Sequence, residues 1–62
     1  MRIEIWFDND NREAMMRCFP NVDEKSINAD GDWLRFASAT SDHTFNINKS
    51  HILFVEFMPT EN

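Results

Sequence analysis

The chain has 62 residues, 42% of them apolar, and eleven Asp and Glu against six Lys and Arg give a formal net charge of −5. Its cations are scattered at Arg2, Arg12, Arg17, Lys25, Arg35 and Lys49, which argues against direct nucleic-acid binding, because that affinity comes largely from phosphates neutralised by Lys and Arg. The single cysteine, Cys18, excludes an internal disulfide, and with two histidines far from it there is no zinc-ligand spacing.

In chain order, "RIEIWF" (2–7) alternates Ile3, Ile5 and Phe7 with Arg2, Glu4 and Trp6, the period-two pattern of a strand. The run 11–19 reads as a short helix. Asp10 is a candidate N-cap with Glu13 three residues on, Met15, Cys18 and Phe19 fall on one helical face, and Pro20 stops the run. A helix of roughly nine residues does not stand alone in water and must dock on something. In "INADGDWLRF", Asp30-Gly31 is a hairpin turn of the type that needs positive φ. A two-residue loop there sets Ile27 opposite Leu34, Asn28 opposite Trp33 and Lys25 opposite Phe36.

Pairing Ser38 with His43 across the polar loop "ASATSDH" then brings Phe36 opposite Phe45 and Leu34 opposite Ile47, continuing the same apolar face. "NKSH" reads as one turn of 3₁₀ helix, and "ILFVEFM" is the last strand, ended by Pro59. The inward face collects Ile3, Ile5, Phe7, Ile27, Leu34, Phe36, Phe45, Ile47, Leu53, Val55 and Phe57. A domain this small buries only about 60% of its unfolded surface, so it needs that dense core or a partner.

The opposite face carries Trp6, Trp33, Ile52 and Phe54, although a solvated face of an antiparallel sheet should be polar. Something must cover it: the helix, through Met15 and Phe19, or a partner. The expected fold class is therefore a β-rich α+β domain spanning 1–62. It is either a small antiparallel meander or an SH3-like curled sheet of four or five strands, with one short helix after the first strand.

The order "IEIWFDN … INADGDWLRF … HTFNINKSHILFVEF" resembles small accessory proteins of β-barrel-like type carried by bacteria and their phages. The shared pattern is a strand ending in Phe-Asp-Asn, an Asp-Gly hairpin and a closing "INxxxIxxVEF", over nearly the whole chain. The resemblance implies a compact β-rich accessory protein and no catalytic residues. This chain departs from it in the helix-like "NREAMMRCFP", which stands where a plain hairpin is expected.

No motif names a reaction. As a calcium loop started at Asp8, the acidic stretch gives Asp10 at position 3. It then fails with Arg12 at position 5, Glu13 at 6 and Phe19 at 12. Asp8, Asp10, Glu13, Asp30 and Asp32 sit at turns or a helix start, where carboxylates are solvated turn and cap residues with no pocket to tune a catalytic pair. Ser50 and His51 are neighbours and cannot pair on a strand. Cys18 could meet His43 or His51, but a lone Cys on an apolar face is ordinary packing.

These readings converge on a non-enzymatic binding protein with no cofactor and no metal. It is expected to act as a cytoplasmic phage or mobile-element accessory protein that docks on, and inhibits, a host protein, and to form a homodimer. The expected interface is Trp6, Trp33, Ile52 and Phe54, since exposed tryptophans dominate interface energies. An acidic rim of Asp8, Asp10, Glu13, Asp30 and Asp32 would speed encounter with a basic surface. The alternatives are a protein that sequesters a small, nucleotide-like molecule and an acidic mimic of nucleic acid, for which Asp23 and Glu24 would join the rim at one end of the fold. With no run near about 18 apolar residues and no basic segment ahead of an apolar one, no membrane association is expected.

Overall fold

The structure, a computed structural model, describes residues 1–8 and 15–59. Its strands are β1 (Arg2–Phe7), β2 (Met15–Phe19), β3 (Trp33–Ala37), β4 (Thr44–Asn48) and β5 (Ile52–Met58). They form two antiparallel sheets, one ordered β2-β1-β5 and one pairing β3 with β4. Two 3₁₀ turns, Glu24–Ser26 and Lys49–His51, are the only helical elements among the described residues, and the second is the turn expected at "NKSH".

The short helix expected over 11–19 is corrected over its described part. Met15–Phe19 is a strand paired to β1, with Phe19 opposite Ile3 and Met15 opposite Phe7. Met15, Cys18 and Phe19 therefore do not share a face: Phe19 is buried while Met15 and Cys18 are exposed. The reason is energetic, because so short a helix is marginal in water. As a strand the same residues satisfy one edge of β1 and bury the Phe19 ring. Asp10 and Glu13, the expected capping pair, lie outside the described residues.

β1 is the central strand of its sheet, and Ile3 and Ile5 on its inner face are fully buried. Along β5 the register runs Arg2↔Met58 to Trp6↔Phe54 and then shifts, so that Phe7 lies opposite Ile52. Leu53 is the extra residue of this bulge. The shift overturns strict alternation at the start of β5: Ile52, expected on the outer face, packs against the core, whereas Leu53, expected inside, is 55% exposed.

The β3–β4 ribbon has the expected register, Phe36↔Phe45 and Leu34↔Ile47, with the Ser38 N–H donating to the His43 carbonyl. The preceding hairpin differs. Asn28 bridges Arg35, two residues from the expected pairing, and both exchange backbone hydrogen bonds of 2.8–2.9 Å. The Asn28 side chain accepts from the Asp30 N–H and the Asp32 carbonyl accepts from the Lys49 N–H, which holds a wider loop open. Gly31 has the expected positive φ, 70°. Because the slip is even, Ile27 keeps the face of Leu34 and Phe36.

The segment after β2 ties the sheets together. Val22 exchanges backbone hydrogen bonds with Met1, and the next residue, Asp23, donates to the Ala37 carbonyl at the end of β3. The core fills the space between the two inner faces: Ile3, Ile5, Phe19, Val22, Leu34 and Phe36. Phe19 lies edge-on to Phe36 and Phe45, with centroids 5.0 and 4.9 Å apart, an arrangement that favours aromatic quadrupoles.

Candidate functional site

The outer face of the three-stranded sheet carries an apolar row. Cross-strand register places Met16, Trp6 and Phe54 side by side on β2, β1 and β5. The Trp6 and Phe54 rings stack with centroids 4.4 Å apart and planes 14° from parallel. Trp6 is half-buried, while Phe54 and Met16 are 50% and 45% exposed. Beside this row Glu4 lies opposite Glu56, with Cys18 on the other flank of Glu4. Two carboxylates directly opposite in a sheet repel, and Arg2, 3.7 Å from Glu4, partly offsets this.

The four residues expected to form one interface are not brought together. Trp6 and Phe54 meet, and Ile52 faces the core. Trp33 is exposed on β3, on the side opposite Leu34 and Phe36, so it belongs to the outer face of the other sheet. What was expected to be one aromatic patch is thus a two-ring stack extended by Met16, with Trp33 on the far side of the core. Alternation within "MMRCF" was the available signal for Met16, obscured by reading the run as a helix.

The acidic rim assembles in part. The Asp8 N–H donates to the His51 carbonyl and the Asp32 carbonyl accepts from Lys49, so the turn Lys49–His51 brings Asp8 and the Asp30–Asp32 loop to one end of the fold. Lys49 and His51 stand between them, and the Lys49 ammonium donates to the Ala29 carbonyl. Asp10 and Glu13 lie outside the described residues. Asp23 and Glu24 sit at the other end of β3, beside Ala37, so the carboxylates weighed as a nucleic-acid mimic are divided between two ends.

A cleft of about 290 Å³ opens between the end of β2 and the Ser38–His43 loop. Arg17, Cys18, Ser38, Thr40, Ser41 and His43 line it without a carboxylate, and Arg17 lies over the Phe19 ring at 5.7 Å. Cys18 and His43 thus reach the same hollow, while Ser50 and His51 belong to the 3₁₀ turn elsewhere. Among the described residues no three His, Cys, Asp or Glu are grouped to hold a metal ion.

One edge of β5 pairs with no described strand. Successive residues of a strand direct their backbone polar groups to alternate edges. Met1 bonds to Val22 on the β2 side, while Asp8 bonds to His51 on the β5 side. Odd residues of β1 therefore serve β2 and even ones serve β5. The hydrogen-bonded pairs with β5 are then Trp6↔Phe54, Glu4↔Glu56 and Arg2↔Met58. Between them Val55 and Phe57 turn their N–H and C=O groups to the opposite edge, where no described strand pairs. Phe57, 46% exposed, lines a largely apolar groove there with Ile52, Val55, Leu34 and Ala29, and Lys49 stands at its rim.

No protein-family description, curated protein or solved structure matches this chain. No helix of the described residues is long and apolar enough to cross a membrane.

Proposed function

We propose that this chain is a non-enzymatic binding protein, built as a small SH3-like curled sheet, that docks on another protein through the Met16–Trp6–Phe54 row. The observation that carries the reading is the Trp6–Phe54 stack, half-buried at Trp6 and 50% exposed at Phe54. Large apolar side chains at the centre of an exposed sheet face mark interaction surfaces, and Trp is prominent among residues that dominate binding energy. Glu4 and Glu56 beside the row suit a partner that presents cations around an apolar centre, with the Asp8 and Asp30–Asp32 end adding long-range attraction. The SH3-like reading rests on the 3₁₀ turn before the last strand and on the segment shared by both sheets.

In cellular terms the reading is that of a phage or mobile-element accessory protein that occupies, and so inhibits, a host protein. A tagged pull-down from a bacterial host lysate tests it. Trp6→Ala and Phe54→Ala are expected to weaken capture by about 30-fold or more, the loss of a central anchor worth about 2 kcal/mol. Asp30→Asn is expected to lower only the association rate. Capture unchanged in both aromatic variants, with folding intact by circular dichroism, rejects the reading.

A further inference from the structure

We propose that the outer edge of β5 is a self-association edge, through which two copies pair antiparallel about a two-fold axis at Val55 and make one continuous six-stranded sheet. The proposal deepens the reading of the Trp6–Phe54 face, which it would enlarge, and its test is separable from that reading.

A seven-residue strand with an open edge is a ready template for another strand. Natural edges are blunted by lysines, prolines or inward charges. β5 has none of these between Ile52 and Met58, and its single charge, Glu56, projects to the outer sheet face. Three of the six exposed large apolar residues of the described chain, Leu53, Phe54 and Phe57, lie on it. The bulge at Leu53 is confined to the start of the strand, so the stretch from Phe54 to Met58 is regular.

The open edge accommodates a second copy of β5, and the side chains favour one register for it. Val55 and Phe57 direct their backbone groups outward, so a symmetric pair is centred on Val55 or on Glu56. Centring further on brings Pro59, which has no N–H, opposite Val55. Centring on Glu56 sets two carboxylates directly opposite, which repels. Centring on Val55 sets Glu56 opposite Phe54 of the second copy and Leu53 opposite Phe57, twice over by symmetry. The outward groups of Val55 then pair with their own equivalents, and those of Phe57 meet the second copy where its bulge at Leu53 begins.

On the inner side this covers the groove lined by Ile52, Val55, Phe57 and Leu34. On the outer side Phe54 comes diagonally beside Phe54 of the second copy, within aromatic reach, so two Trp6–Phe54 stacks merge into one patch. One strand edge and a few half-exposed side chains make a small contact, so the dimer is reversible and depends on concentration.

Sedimentation velocity over a concentration series, with amide hydrogen exchange of the full chain, tests this. The expected result is a monomer–dimer equilibrium in which the Val55 and Phe57 amides exchange more slowly as concentration rises. Leu53→Lys with Phe57→Lys is expected to leave a monomer at every concentration. A wild-type chain that stays monomeric overturns the proposal, as does a dimer whose Val55 and Phe57 amides exchange no more slowly, and both are read without any variant. A dimer lost in Trp6→Ala but kept in the double lysine variant also overturns it and places the contact on the outer face. A monomeric double variant that still captures the host protein separates self-association from docking and leaves both standing.

Discussion

At the scale of single residues, Gly31 gives the most local test. Its φ of 70° lies in the left-handed region, and a Cβ added there meets nothing within 4 Å. Any penalty for Gly31→Ala is therefore backbone conformation alone, about 1 kcal/mol. Urea unfolding should show that loss for Gly31→Ala and a smaller one for Gly31→Asn, because Asn visits the left-handed region more readily. The turn residue itself was legible in the sequence, since few residues besides glycine serve such a position. The pairing around it was not. It depends on the Asn28 side chain taking the Asp30 N–H and on Lys49, distant in sequence, taking the Asp32 carbonyl.

At the scale of elements, the strands read from period-two alternation stand where hydrophobic faces are unambiguous. β1, β3 and β4 follow the pattern, down to Phe36 opposite Phe45. Met15–Phe19 satisfies both periods, with Met, Cys and Phe in five residues, and the deciding fact is that β1 has an edge to fill. The outer row was half legible: Trp6 and Phe54 followed from alternation, Met16 was hidden by the helix reading, and Ile52 was moved inward by a bulge. The turn Glu24–Ser26 carries its own prediction. Ser26 donates its hydroxyl to the Asp23 carbonyl at 2.6 Å and accepts from the Ala37 N–H at 2.8 Å, tying the turn to β3. Ser26→Ala leaves the Ala37 amide without that acceptor in a partly buried place. It should cost about 1–2 kcal/mol in chemical denaturation, with the native fold retained.

At the scale of the whole molecule, charge separates the two kinds of association. Two copies at −5 each repel, so added salt should strengthen self-pairing, which sedimentation across an ionic-strength series measures. Docking on a cationic partner should respond in the opposite sense, its association rate falling as salt rises. The same sheet order has a mechanical consequence. Arg2 lies opposite Met58, so the start of β1 and the end of β5 emerge side by side. Tension applied between those two points loads the β1–β5 ladder one rung at a time, in the unzipping direction. The edge strand β5 therefore peels from the central strand β1 under low force, from the end where the pull arrives.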